Sequence, residues 1–224
     1  MNENKFTGIS LNQNFKNHKL AVITTVKPNE YLFPNINTDF LYRDDDIEVF
    51  SDNKNLFNVL YLKTDFSIID RKKIIRQLIS QNIKIFVFIG NGYRLQHDKK
   101  DLNVIISDHI NCSGQNPLIG QNDDNFGVRF PDVTDLYSKK RRDTILTNFP
   151  DQFYESTLFI PKILEKFTNF EQNIIDKNNI SIISKDIYAE AITAKHAGCE
   201  SVGIILFDDK INLSKIISSI LEIT

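Results

Sequence analysis

The chain has 224 residues, of which 41% are hydrophobic, enough to bury a sizeable core and a length that fits one domain better than two. Its 27 lysines and arginines against 29 acidic residues create no field that would hold it on nucleic acid or an anionic membrane, and no apolar run approaches the roughly 20 residues that span a bilayer. Only Cys112 and Cys199 are present and no export signal opens the sequence, so the reading is a cytoplasmic protein without a disulfide framework, a metal or a cofactor.

Residues 1–18 are polar and unpatterned and read as a loose N-terminal arm, leaving 19–224 as the folded unit. Lys19–Thr24 reads as a buried strand, and 26–46, with Pro28, Pro34 and the run Asp44-Asp45-Asp46, as loop. Short strands follow at Ile47–Phe50 and Phe57–Leu62. From Ile68 to Gln81 the apolar residues Ile69, Ile74, Ile75, Leu78 and Ile79 recur at helical spacing, with Asp70, Arg71, Lys72, Lys73, Arg76 and Gln77 assigned mostly to the opposite, solvated side. The β-rich run Ile83–Ile89 ends in Gly90-Asn91-Gly92, and Val104–Ser107 is a further strand. Pro131–Leu146 reads as a surface helix whose Lys139-Lys140-Arg141-Arg142 stretch is a solvated face. A strand at Thr157–Ile160 precedes a helix from Pro161 to Ile174. A strand at Ile180–Ile183, a helix at Asp186–Ala197 ended by Gly198, a strand at Ser201–Phe207 and a helix capped by Asn212 complete the chain. Strands alternating with helices predict an α/β layered fold. The eight glycines leave a gap from Gly8 to Gly90, so no glycine turn can follow the first strand.

The stretch Asp108-His109-Ile110-Asn111, continuing through Asn116-Pro117-Leu118, Gly120, Asn122-Asp123, Phe126-Gly127 and Arg129-Phe130-Pro131-Asp132, resembles the signature of the trimeric purine nucleoside phosphorylases. A second block, Ala189-Glu190 through Ala197-Gly198-Cys199-Glu200-Ser201-Val202-Gly203, is similar to that family's "AE.r.l...GaDaVGM". The resemblance implies a three-layer αβα fold around a twisted mixed sheet. It also implies a trimeric assembly and phosphorolysis of purine nucleosides to free base and ribose 1-phosphate. That reaction needs phosphate held in line below the sugar and a departing purine stabilised as it gains negative charge.

Against the family's motifs the chain is a shortened and degenerate member. The phosphate-holding glycine-serine-glycine turn is replaced by Thr24-Thr25-Val26-Lys27-Pro28, where only Thr24, Thr25 and Lys27 could meet an anion. Where the family has "RxHxYEG", this chain has Lys63-Thr64-Asp65-Phe66-Ser67. Its four histidines, His18, His97, His109 and His196, supply no counterpart to the phosphate-binding one. Ile89-Gly90-Asn91-Gly92-Tyr93 stands for "TNAAGG", keeping a turn without its threonine. The purine-binding glutamate of "SFET" falls on Asp186, which equally suits a helix cap, and the phosphate-binding serine of "GMS" falls on Ile205. His109 reads as a residue satisfying core hydrogen bonds, His196 as one in a last helical turn where its partial charge is favourable, and both cysteines as small packing residues.

Removing one transition-state donor typically costs about 10²–10³ in rate. With several missing, the resemblance implies no catalytic residue, no phosphate-binding residue, and Asp186 as the residual base contact. The expectation is a phosphorylase homologue without catalysis, acting by assembly with itself or an active relative, by partner binding, or by sensing a purine base or nucleoside. The alternative is a working purine nucleoside phosphorylase of purine salvage. Phe126, Arg129 and Phe130 are of the types that anchor interfaces; the alternative is that Asn116, Asn122 and Asp108 merely hold a long loop in shape through backbone hydrogen bonds.

Overall fold

The computed structural model describes residues 18–34, 36–43, 45–52, 56–63, 65–95, 101–208 and 210–222, with the backbone alone for 37–40. The expected arm, apart from its last residue, and His97 lie outside the described residues. One mixed sheet organises them. Its strands are β1 Leu20–Thr24, β2 Ile36–Arg43, β3 Ile47–Asp52, β4 Asn58–Leu62, β5 Ile85–Asn91, β6 Tyr93–Arg94, β7 Asn103–Asn111, β8 Phe153–Ile160, β9 Ile182–Ile183 and β10 Glu200–Leu206. They lie in the order β2-β3-β4-β1-β5-β10-β7-β8-β9-β6. The centre, β4-β1-β5-β10, is parallel throughout, and β7 joins β10 antiparallel.

Alternation along these central strands builds two cores. Ala21 and Ile23 of β1, Phe86 and Phe88 of β5 and Ile205 of β10 face one side, where α1 Ile68–Ser80 and α4 Tyr188–His196 pack. Leu20, Val22, Val87, Ile89, Val202 and Ile204 face the other, against α2 Lys139–Asn148 and α5 Leu213–Leu221. The three layers are those that the sequence predicts. A smaller cluster under α3 Asn169–Lys177 closes the β8–β9 end.

Local chemistry sets the helix starts and moves several of them from the expected places. Ser67 caps α1, its Oγ accepting from the Asp70 amide at 3.2 Å. Asn212 caps α5 in the same way. The helix expected from Pro161 starts instead at Asn169, because Thr168 and Glu171 form a reciprocal capping box. The helix expected from Pro131 begins only at Lys139. Before it, Asp132 Oδ1 accepts from the amide and hydroxyl of Thr134, which holds a turn. Loop was expected over 26–46, yet β2 forms there by pairing with β3.

The basic stretch is not a solvated face. Arg141 is buried, donating to Glu200 at 2.8 and 3.0 Å and to the Ile220 carbonyl at 2.6 Å. Arg142 is also buried and pairs with Glu155. Both tie α2 to neighbouring elements, so half of that run is structural.

Candidate functional site

In an open α/β sheet the carboxyl ends of parallel strands form the crevice where ligands bind. Here β1 ends in Thr24-Thr25, β4 in Leu62-Lys63 and β5 in Gly90-Asn91, and α4 arrives beside them through Ser184-Lys185-Asp186-Ile187. A Cβ on Gly90 would lie 2.7 Å from the Asp186 Cβ, so the absence of a side chain at 90 is what lets Asp186 rest on the end of β5. Gly92 does the same for Ile205, whose Cγ2 would be 2.8 Å from an added Cβ. Ile205 is fully buried there. At the position that the resemblance assigns to a phosphate-binding serine, the chain packs a hydrocarbon.

Asp186 does not cap α4. Its Oδ2 accepts from Thr25 Oγ1 at 2.8 Å and from the Asn91 amide at 3.2 Å, and its own amide donates to Ser184 Oγ at 3.0 Å. Ser184 Oγ in turn donates to the Asn91 carbonyl at 2.5 Å. The next residue, Ile187, is held at φ 82°, a conformation costly for a β-branched side chain, and α4 starts only after it. This strained turn aims the Asp186 carboxylate at the end of β1 rather than at the helix amides.

The group that meets the other carboxylate oxygen is Arg71. Its Nη2 lies 3.4 Å from Asp186 Oδ1 and 3.3 Å from Asp65 Oδ1, its Nη1 donates to Glu190 Oε1 at 2.5 Å, and its Nε donates to the Phe66 carbonyl at 3.1 Å. The Arg71 and Glu190 side chains are only 6% and 5% exposed. Burial works to lower the guanidinium pKa, but the carboxylates of Glu190, Asp186 and Asp65 outweigh it and hold the pKa above its ordinary value. The arginine is therefore a fixed charge. Its placement corrects the expectation that Asp70 and Arg71 lie on the solvated side of α1, since both are buried with Ile74, Ile75 and Leu78. Spacing carried the signal: 71, 74, 75 and 78 share one helical face. Glu190 stands in the sequence block quoted above, but nothing in the sequence pairs it with residue 71.

The consequence is a filled crevice. The void bounded by Thr25, Arg71, Asp186, Ile187 and Glu190 measures ≈ 10 Å³, about one water molecule. Outside it, an open groove of ≈ 310 Å³ runs past Lys63, Asp65, Asn91, Tyr93, Lys185 and Asp186. Thr24, a candidate for an anion contact, turns its hydroxyl to the Val26 carbonyl at 2.9 Å, and Lys27 is exposed.

A second depression of ≈ 530 Å³ lies in the 108–136 region, with Leu118, Leu136 and Ile192 among its apolar walls and Asp108, His109 and Arg129 among its polar ones. His109 Nδ1 is 3.0 Å from the Tyr137 hydroxyl, and burial lowers its pKa. Of the three candidate interface residues, Phe126 is half-buried beneath Arg76, whose guanidinium carbon stands 4.5 Å from the ring centroid. Arg129 is exposed and donates to the Gly120 carbonyl at 2.6 Å. Phe130 is 86% exposed. His196 reaches the same loop, its Nε2 3.2 Å from Asn122 Oδ1. Cys112 is half-buried and Cys199 buried, both as free thiols. Among the described residues no histidine, cysteine or carboxylate group gathers at metal-binding geometry, and no helix is long and apolar enough to cross a membrane.

No protein-family model matches the chain. Purine nucleoside phosphorylase 1 of Geobacillus stearothermophilus is 36% identical over 104 residues, covering 45% of this chain and 38% of that protein. Mouse purine nucleoside phosphorylase is 30% identical over 116 residues, covering 48% and 40%. The match thus spans about two fifths of the length of these curated relatives. Among solved structures, a Schistosoma mansoni purine nucleoside phosphorylase in complex with acetate superposes with a TM-score of 0.74 at 15% identity, over 96% of this chain and 93% of that one. Another purine nucleoside phosphorylase, in complex with ribose 1-phosphate, gives 0.72 at 15% identity over 92% and 90%. The chain is thus similar to the purine nucleoside phosphorylases over the matched part of its sequence and shares their three-layer mixed-sheet fold.

Proposed function

We propose that this chain is a non-catalytic member of the family, acting through assembly or partner binding and keeping at most a residual purine contact at Asp186. The observation that carries this reading is the internal network Thr25–Asp186–Arg71–Glu190, which fills the crevice where the fold would hold its reactants. Catalysis of glycosidic cleavage requires donors preorganised toward the phosphate and the departing base. Here the threonine hydroxyl and the guanidinium point at carboxylates of the same chain, and Ile205 offers no donor.

Related structures hold hypoxanthine, guanosine or ribose 1-phosphate, which makes purine bases and nucleosides the ligands to try first. The purified protein is expected to release no hypoxanthine from inosine and no guanine from guanosine at saturating phosphate. A phosphate-dependent turnover above about 1 s⁻¹, in the ordinary enzyme range, would return the alternative of a working purine nucleoside phosphorylase. Assembly with copies of itself, as a trimer or otherwise, or with an active relative is assigned to the 108–131 loop. The longest family-like stretch of the sequence carries the exposed large side chains Phe130, Ile119 and Val128.

A further inference from the structure

Arg71 makes four polar contacts with three carboxylates and one carbonyl, more than a helix-to-helix tie requires. Two of those carboxylates, Asp186 and Glu190, come from one short segment and converge on its planar head. Glu190 Oε2 is buried with no hydrogen-bond partner among the described residues, so that carboxylate still has acceptor capacity facing the protein interior. The remaining walls are mostly apolar: Ile23, Leu62, Phe88, Ile89 and Ile187 line the same void, with Thr24 and Thr25 as its other polar members. Two carboxylates in a mostly apolar wall suit a flat cation with several N–H donors and disfavour a compact, strongly hydrated ammonium. The guanidinium sits between Asp65, whose side chain is 98% exposed, and the inner carboxylates of Asp186 and Glu190, and Arg71 also lines two grooves of ≈ 310 and ≈ 260 Å³.

We infer that Arg71 is a built-in ligand: Asp186 and Glu190 form a pocket selective for a guanidinium or amidinium group, and the chain closes it with its own arginine. The inference concerns the crevice assigned above and rests on its being the site of the fold. In the resting protein the pocket is occupied, so an added guanidinium compound finds no room. Removing the side chain beyond Cβ leaves two carboxylates facing a void of the right shape, and a small guanidinium molecule restores both the charge balance and the hydrogen bonds.

The test uses the full chain and its Arg71→Ala variant with methylguanidinium at or below 20 mM, in buffer of matched ionic strength, with ethylammonium and urea as controls. Methylguanidinium is expected to raise the thermal midpoint of R71A by about 3–6 °C while leaving the unsubstituted protein unmoved. Equal shifts from ethylammonium, an equal shift in the unsubstituted protein, or no shift in folded R71A would each overturn the inference. If R71A does not fold alone, recovery of its circular-dichroism spectrum on adding methylguanidinium becomes the readout, and failure to recover overturns the inference equally. The double variant R71A/E190Q, which removes both partners of the closest buried pair, is expected to fold and to lose most of the methylguanidinium response. Phosphorolysis by the unsubstituted protein would sink the proposed function without touching this result, and an unresponsive R71A would sink this inference without restoring catalysis.

Discussion

Two regions of the molecule use the same residue types to opposite ends. At the carboxyl ends of β1 and β5, an arginine, the two carboxylates Asp186 and Glu190 and a threonine are turned toward one another, leaving ≈ 10 Å³. In the 108–136 region, Arg129, Asp108 and Phe130 border an open depression of ≈ 530 Å³. Burial is what separates them. A charge 5% exposed must be answered by the chain itself, whereas Arg129 and Phe130, largely in water, carry no such obligation. Behind the open groove the charges of Arg71 and Glu190 are part of the core, whereas the loop keeps Arg129 and Phe130 in water.

The largest test of that contrast is to unbalance the crevice. Glu190→Ala leaves the Arg71 guanidinium buried without its 2.5 Å partner, and loss of one member of a buried pair costs about 3–5 kcal/mol. Urea denaturation should report most of that loss. Arg129→Ala, at an exposed hydrogen bond to a carbonyl, should stay within about 0.5 kcal/mol. Similar losses for the two variants would show that the crevice is no more structural than the loop.

A smaller effect tests how the two regions are joined. His196, in the last turn of α4, holds the loop through Asn122, whose Nδ2 already donates to Gly127 O at 2.9 Å and Asp124 Oδ1 at 2.7 Å; Asn122 Oδ1 is thus the acceptor, and His196 Nε2 carries the proton. His196 Nδ1 is buried without a hydrogen-bond partner among the described residues. Around the ring stand Arg76 and Lys72 of α1, Asp123 of the loop and the Val128 backbone. Burial first and Arg76 second push its pKa below the ordinary 6.5, with the Val128 backbone and Asp123 acting the other way. His109, beside the open depression, is lowered by burial, opposed by Asp108. A histidine depressed in the folded state binds protons first in the unfolded chain. Stability is therefore full above the unfolded value near 6.5 and declines as the pH falls from there toward the folded pKa. Denaturation midpoints at pH 7.5 and 5.5 should differ in that direction, and His196→Asn should shrink the difference. An unchanged difference in that variant would leave His109 as its source.

The layered fold was legible because it rests on period and punctuation. The central strands are continuous apolar runs, the α5 cap is Asn212, and the gap in glycines before Gly90 already precludes a glycine turn after β1. The crevice was legible only in part. Asp186 was reached by counting back along a helix, but its real neighbours, Thr25 and Arg71, are 161 and 115 residues away in sequence and meet it only through the sheet order. The buried roles of Arg141 and Arg142 escape the sequence for the same reason, since their partners Glu200 and Glu155 lie on strands that local pattern cannot bring to α2. Charge next to charge along a chain says little about which charges a fold will bury.

The smallest expected change in stability sharpens the other half of the contrast. Phe130 is 86% exposed, with the Arg129 guanidinium carbon 5.9 Å from its ring centroid. Replacing it by serine removes no core contact and should leave the unfolding midpoint within about 1 °C. Phe126 is different. Its ring lies under Arg76 and helps fasten the loop to α1, so Phe126→Ala loosens the loop as well as any interface and is the poorer probe. If the loop is the assembling surface, Phe130→Ser should lower the mass measured by light scattering at tens of micromolar, or abolish association with an active phosphorylase relative, with the circular-dichroism spectrum unchanged. An unsubstituted protein that is monomeric at that concentration and ignores such a relative would remove the loop's assigned role. The exposed ring would then be one more isolated surface hydrophobe, a common enough feature of monomers.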